Sequence, residues 1–329
     1  MTDAPPGSTT GDDTLVSVVV PTYGRDPAAL RRSVASVAGQ THDATELVVV
    51  DDSAPEEDLR STALEGVGWE PFARLQWLTG GDHGGAGAAR NTGIRAARGD
   101  YIAFLDDDDT WAATKLERQL GVFDRAEGVG LVYCPQRYVD GSGTEVGTGR
   151  VGARGDALEA LLSGRQLAPF SSVVVRSAVP ETVGYIDERL PVLEDKDWYL
   201  RIAREYRVGA VEEPLVRRRV GGGDHLSQDW EGMSERTYPL FMAKHRPLAA
   251  EHGSLCERRF VSWLAKTTAA TGIGTGHRRA AWPYLFRALR AYPLDPELYA
   301  YLALTVSGRR TRRALRTVER AIERLRGVP

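Results

Sequence analysis

Residues Gly99 to Trp111 read G-D-Y-I-A-F-L-D-D-D-D-T-W. The short apolar run Tyr101 to Leu105 is of the kind that forms a buried strand. It stops at four consecutive carboxylates, Asp106, Asp107, Asp108 and Asp109. Four adjacent acids at the end of a buried strand repel one another and are costly unless a cation offsets them. All-oxygen ligation suits Mg2+ or Mn2+, which take a few carboxylates and fill the rest of the shell with water and substrate phosphates. The competing reading is an acidic helix cap, because a helix is expected from Ala112 to Ala126. A cap accounts for one or two of the acids and leaves the others unexplained. A cation site is therefore the first expectation.

The elements that must position these acids follow from periodicity. Val16 to Val20 is a β-branched run closed by Pro21-Thr22-Tyr23-Gly24, and Glu46 to Val50 is an apolar run closed by Asp51-Asp52-Ser53. Between them, Pro27 opens a helix to about Ala38 whose Leu30, Val34 and Val37 share one face. Pro55 opens another helix, Arg74 to Leu78 is a third strand, and a glycine-rich loop, Gly80 to Gly87, leads into a helix over Ala88 to Ala97. This alternation predicts an α/β fold with a mostly parallel sheet covered on both faces. In such a sheet, ligands bind beyond the carboxyl ends of the strands, where both acid sets fall. Gly85-Ala86-Gly87 partly mimics a dinucleotide fingerprint, but Arg90 holds the third glycine position and the first strand lacks the motif, so the match is read as accidental.

Beyond Ala126 the pattern changes. Strands are expected at Leu131 to Tyr133, Arg137 to Val139, Ser171 to Arg176 and Leu215 to Val220, with a short helix over Asp156 to Leu162. Glu194-Asp195-Lys196-Asp197 precedes a helix carrying Trp198, Ile202 and Tyr206. From Trp230 onward only helices are expected, broken at Pro247, Gly253, Gly272 to Gly276, Pro293 and Gly308. The divisions expected are a disordered tail over 1–14, an α/β domain over 15–228 and a helical region over 229–329.

With 329 residues, 42% hydrophobic and 26% charged, the chain is long enough for two units or one domain with a large extension. A net charge of -3 implies no nucleic-acid partner. The two cysteines, Cys134 and Cys256, lie far apart, which argues against a disulfide scaffold and a structural zinc. No run approaches the length of a membrane span, and Met1 to Thr14 lacks the apolar core of a signal peptide. A cytoplasmic protein is expected, with peripheral attachment to the cytoplasmic face of a membrane left open.

Four stretches in this order resemble family 2 of the glycosyltransferases, enzymes of the GT-A fold that use nucleotide-sugar donors. They are V-S-V-V-V-P-T-Y at 16–23, E-L-V-V-V-D-D-S at 46–53, A-A-R-N-T-G-I-R-A-A-R-G-D-Y-I-A-F-L-D-D-D-D at 88–109, and L-E-D-K-D-W-Y-L-R at 193–201. The resemblance covers about Val16 to Ser227. It implies a donor-binding half to about residue 126 and an acceptor half after it. Pro21, Thr22 and Tyr23 offer backbone groups and an aromatic face to a nucleobase, and such stacking contributes ~1–3 kcal/mol. The resemblance implies that Tyr23 and Asp52, with Asp51 beside it, meet the base and ribose, and that Arg90 and Asn91 line the donor side. For Arg90 a place on the helix surface is the alternative.

The family's D-x-D motif aligns with Asp106-Asp107-Asp108. By resemblance Asp108 is the direct metal ligand, Asp106 or Asp107 reaches the ribose or the metal's water shell, and Asp109 is left as the helix cap. Trp111 resembles the aromatic that follows this motif, with packing beneath the site as its plainer role. Glu194-Asp195 resembles the family's E-D motif, which makes Asp195 the general base of an inverting transfer, with Trp198 and Tyr199 near the acceptor. Asp197 competes for that role, but a place in the first turn of its helix suits it better. His225 is a further candidate for the diphosphate or metal.

The implied function is an inverting transfer from a nucleotide-diphosphate sugar, a UDP-sugar first, to a hydroxyl of a glycan or lipid-linked acceptor, with Mn2+ or Mg2+ as cofactor. The alternatives are a sugar-phosphate nucleotidyltransferase and a non-catalytic nucleotide-sugar-binding protein. Eight arginines between Arg309 and Arg326 accompany Leu315, Val318, Ile322 and Leu325 at helical spacing. This helix either lies on anionic lipid or docks on the protein with a solvated arginine face, and the second reading is favoured.

Overall fold

The computed structural model describes residues 14–24, 26–53, 59–79, 84–220 and 229–306. Residues 1–13 of the expected tail, the helix start at Pro55, residues 80–83 of the glycine-rich loop, His225 and the basic segment after 306 lie outside them.

The first half alternates as expected: β1 (Val16–Thr22), α1 (Pro27–Ala38), β2 (Thr45–Asp51), α2 (Leu59–Leu64), β3 (Arg74–Thr79), α3 (Gly85–Ala96) and β4 (Tyr101–Phe104). The strands β4, β1, β2 and β3 pair in that order and all run parallel. Every residue of β1 and β4 is buried. Helix α3 is pulled close to the sheet at Gly93, where an added Cβ would stand 2.2 Å from Cγ1 of Val19. That contact sets the height of α3 against β1 and so the position of Arg90, one turn earlier.

The helix expected over Ala112 to Ala126 is present but starts three residues later, at Lys115. After the acids the chain forms β5 (Thr110–Trp111) and only then α4 (Lys115–Arg125), with Thr114 at its N-cap position. Asp109 is therefore not a helix cap. It is 1% exposed, and its Oδ1 accepts from the Arg219 amide at 3.3 Å.

The second half supplies β6 (Val129–Tyr133), β7 (Gln136–Val139), β8 (Glu145–Thr148), α5 (Leu158–Leu162), β9 (Val173–Arg176), α6 (Val179–Val183), α7 (Glu194–Glu205), β10 (Arg207–Ala210) and β11 (Val216–Arg219). Strand β9 inserts antiparallel between β4 and β6, and β10 extends the edge, giving a seven-stranded sheet in the order β10-β6-β9-β4-β1-β2-β3. A second sheet, β5-β11-β7-β8, stands at the rim that carries the acids. The short β8, β10 and α6 carry too weak a periodic signal to be expected from sequence.

The helical region holds α8 (Tyr238–Glu251), α9 (Ser254–Gly274), α10 (Arg278–Ala291) and α11 (Pro296–Val306), preceded by a π-helical stretch over Gly232–Thr237. Pro247 does not break α8 but lies inside it, and Gly272 lies inside α9 because the Trp230 ring occupies the space of a side chain there. Phe241, Phe260, Leu264 and Leu285 share one hydrophobic core with Val19 and Phe104 of the sheet and Trp198 and Ile202 of α7. The change in composition near 229 is thus not a break in packing. Among the described residues no helix is long and apolar enough to cross a membrane.

Candidate active site

A cleft of about 1480 Å3 opens at the carboxyl ends of the parallel strands. One wall is the sheet rim with Pro21, Tyr23, Asp106, Asp107 and Asp108, and the facing wall is the start of α7 with Leu193, Glu194, Asp195 and Lys196. Glu194, Asp195 and Asp197 form the first turn of α7 rather than preceding it, so the helix N-terminus favours their negative charge. Leu193, just before, has φ 64° and is the one non-glycine residue with positive φ among the described residues. Such strain costs of order 1–3 kcal/mol and persists where the surroundings over-determine it. Here it turns the chain into α7 with both acids on the cleft.

Arg90 joins the two walls. One nitrogen stands 2.7 Å from Asp106 and another 3.3 Å from Glu194, with the side chain 7% exposed and Cζ 4.3 Å above the Phe170 ring. The surface alternative for Arg90 is overturned. Burial works against its charge, but Asp106 and Glu194 outweigh it and its pKa is raised. Beneath lies an aromatic platform in which Phe170, Phe104 and Trp198 meet at 5.2–6.0 Å between ring centres. Trp198 and Tyr199, expected near the acceptor, are 0% and 1% exposed and do not line the cleft. They support the floor under Arg90.

The acids are individually held. Thr22 Oγ1 donates to Asp107 Oδ2 at 2.6 Å, the Asp106 amide donates to Ser171 Oγ at 3.1 Å, and Ser33 Oγ donates to the Asp109 carbonyl at 2.6 Å. Trp111 packs beneath them as expected, 6% exposed, with Nε1 donating to the Ser171 carbonyl at 2.8 Å. Burial, with Asp108 and Asp106 adding, pushes Asp107 up to about 6 against the Thr22 hydrogen bond. Burial, then Asp106 and Asp108, pushes Asp109 up to about 8. Burial and the neighbouring Asp195 push Glu194 up to about 7 against the pull of Arg90. These raised values reflect an excess of acid groups at this rim, which burial and crowding make costly to ionise together.

That excess, on oxygen donors facing a cleft, fits a hard divalent cation. Among the described residues no three His, Cys, Asp or Glu side chains converge to hold a metal. A cation here would rest on one or two carboxylates and take its other ligands from water or a bound phosphate, as Mg2+ and Mn2+ commonly do.

Other expected residues are placed less directly. Asp51 accepts from the Ser53 amide and hydroxyl and from Trp77 Nε1, which shapes the turn after β2. Asp52 is 5% exposed, and its amide donates to the Thr22 carbonyl at 2.9 Å. Asn91 is not brought to the cleft. It is 1% exposed and clamps α3 to the loop before α7 through the Ile186 amide and carbonyl and Glu188. Sequence reasoning missed Ser33, Ser171 and the segments at 149–152 and 163–166 that complete the cleft. Ser33 left a signal, as a polar residue beside the apolar face of α1.

Comparison with known proteins agrees with this geometry. Over 111 residues the chain is 40% identical to an Escherichia coli protein named UDP-Glc:alpha-D-GlcNAc-diphosphoundecaprenol beta-1,3-glucosyltransferase WfgD, covering 34% of this chain and 42% of that one. The chain thus spans less than half of that relative. Residues 1–349 of S. aureus TarS in complex with UDP-GlcNAc superpose with a TM-score of 0.58 at 18% identity, covering 94% of this chain and 92% of that one. The mannosyltransferase PcManGT of Pyrobaculum calidifontis, in complex with GDP-Man and Mn2+, gives 0.57 at 18% identity over 89% and 86%. These two likenesses show a shared GT-A-like fold. Residues 17–169, just under half of the chain, match the model of glycosyl transferase family 2.

Proposed function

We propose that the protein is an inverting glycosyltransferase that moves a sugar from a nucleotide-diphosphate sugar, a UDP-sugar first, to a hydroxyl of a glycan or lipid-linked acceptor. The observation that carries this reading is Arg90, which holds Asp106 of the sheet rim and Glu194 of α7 across one cleft. A donor anchored at the rim then presents its anomeric carbon toward α7, and an acceptor hydroxyl enters from the α7 side. The relatives' names support a nucleotide-sugar donor: one names UDP-Glc, and the two structures hold UDP-GlcNAc and GDP-Man.

In this mechanism Tyr23 and Pro21 receive the base, with Asp52 and Asp51 behind them. Asp195, 20% exposed and lining the cleft, takes the proton of the acceptor hydroxyl as its oxygen attacks the anomeric carbon. The bond from that carbon to the diphosphate breaks on the opposite face, which inverts the configuration. Lys196 stands 3.3 Å from Asp195 Oδ2, and its amide donates to Oδ1 at 2.7 Å, so the carboxylate is oriented by its neighbour. Asp108, with Asp106, would hold Mn2+ or Mg2+, which offsets negative charge on a leaving diphosphate. Asp107, fixed by Thr22, faces the same space. Glu194 keeps Arg90 in place.

The test is Asp195→Asn. It is expected to bind a UDP-sugar with Mn2+ as well as the parent, by thermal shift, and to lose transfer by a factor of 10^2 or more, the scale of general-base catalysis. Full transfer by this variant overturns the assignment of the base.

A further inference from the structure

The cleft continues past Asp195 to an end of the opposite character. There the segment before α5, the loop after it and α9 line the space with Arg150, Arg165 and Arg259. These three segments press on one another. A Cβ on Gly152 would lie 2.2 Å from the Gln166 carbonyl oxygen, and one on Gly164 would lie 2.5 Å from the Trp263 ring. Gly164 also has φ +91°, which other residues rarely adopt. Arg165 is therefore flanked by the 150–152 segment on one side and by α9 on the other, where Arg259 lies one turn before Trp263.

Among the described residues none of the three guanidinium groups pairs with a carboxylate, and Arg259 lies over the Tyr292 ring at 5.3 Å. Asp295 and Glu297, the acids at this end, both hold Lys266 Nζ, Glu297 at 2.7 Å. Positive charge here is thus left facing the cleft, while the rim that receives the donor carries the crowded acids Asp106, Asp107 and Asp108, with Arg90, Arg218 and Arg219 nearby.

We propose that Arg150, Arg165 and Arg259 form an anion subsite for the acceptor, taking a phosphate or diphosphate group that the acceptor carries near its reacting sugar. This rests on the glycosyltransferase reading above. Guanidinium forks match phosphate oxygens in pairs. A phosphate held at this end directs the attached sugar back along the cleft toward Asp195. The donor's own diphosphate belongs at the acidic rim, where a cation accompanies it, so binding at the arginine end is independent of metal.

The experiment titrates the full chain in EDTA with inorganic pyrophosphate and with farnesyl diphosphate by calorimetry. Both are expected to bind, more weakly at high salt. The double variant Arg165→Gln/Arg259→Gln is expected to lose roughly tenfold in affinity per arginine removed, while Asp108→Asn keeps the binding. Tighter binding of the prenyl compound assigns the anion to a lipid headgroup, and equal binding assigns it to phosphate alone; either result supports the subsite. Absence of metal-free binding, or binding that survives the double variant, overturns it. Stabilisation by a UDP-sugar with Mn2+, measured in parallel, separates the two ideas. If no donor stabilises the parent, the glycosyltransferase reading fails; if donors do and the diphosphates do not bind, only the subsite fails.

Discussion

Replacing Asp197 by Asn is expected to loosen the joint between α7 and the helical region. The carboxylate is 0% exposed and meets two cationic side chains and an imidazole: Arg201 Nη2 at 2.9 Å, Lys244 Nζ at 2.5 Å and His245 Nε2 at 2.8 Å. Burial works against its charge, but the His245 hydrogen bond, Arg201 and Lys244 outweigh it and hold the carboxyl below its usual range. Removing one partner of a buried pair costs about 3–5 kcal/mol. Two of the partners keep other acceptors, since Arg201 also donates to the carbonyls of Val183, Gly184 and Tyr185 and Lys244 also meets Asp187. His245, 3% exposed, keeps less, so the lower end of the range applies. At about 2.1 cal/mol/K per residue, the unfolding entropy of this chain is about 0.7 kcal/mol/K, and 3 kcal/mol lowers the midpoint by roughly 4 °C. Calorimetry and urea unfolding check this. The sign with pH follows from the lowered carboxyl: its stabilisation is complete above the unfolded value near 3.9 and is lost as pH falls through the lower folded value. The variant should therefore show a smaller loss of stability on acidification. A midpoint within 1 °C of the parent at pH 7 would rule out this role for Asp197.

Lys115→Met should stabilise the protein at neutral pH. Lys115 is fully buried, its Nζ has no hydrogen-bond partner, and it stands 3.8 Å from the centre of the Trp111 ring. Burial lowers its pKa to about 7, only partly opposed by Cys134. Between about 7 and the unfolded value near 10.4 the unfolded chain binds more protons, so parent stability rises with pH by up to about 1.4 kcal/mol per unit, and the variant should lack that rise in urea titrations. Gly93→Ala should cost about 1–3 kcal/mol, because the new methyl meets Val19 at 2.2 Å and α3 must lift from the sheet, which a urea midpoint detects. The same shift moves Arg90, so transfer should fall further than stability alone explains. Glu194→Gln should leave Arg90 paired with Asp106 only and weaken transfer without the near-complete loss of Asp195→Asn; equal losses in the two would show that the acids act as one unit.

What the sequence revealed of the fold and site follows the range of the interactions concerned. The parallel half was legible because β1, β2 and β4 are buried on both faces and so read as unbroken apolar runs ending at turns or acids. Parallel pairing then carries those strand ends to one rim, and the acids to a shared cleft. In the second half β6, β7, β9 and β11 were legible as strands but not in their pairing, because β9 enters antiparallel between strands far from it in sequence, and β8 and β10 have only four residues each. At the site, residue identity pointed to Asp106, Asp108 and Asp195, but not to what surrounds them. For Arg90 a place on the helix surface stayed open as the alternative because nothing local records Glu194, 104 positions away, as its partner. Asn91 and Trp198, adjacent to reactive-looking groups in sequence, turned out to be supports because burial is decided by packing that those motifs do not encode. Asp197 shows the same limit from the other side. A first-turn acid is ordinary by sequence, yet with Lys244 and His245 it ties the helical region to the helix that carries Asp195. The helical region, for which no motif served as a guide, thereby both adds Arg259 to the arginine-lined end of the cleft and fixes the wall opposite the acids.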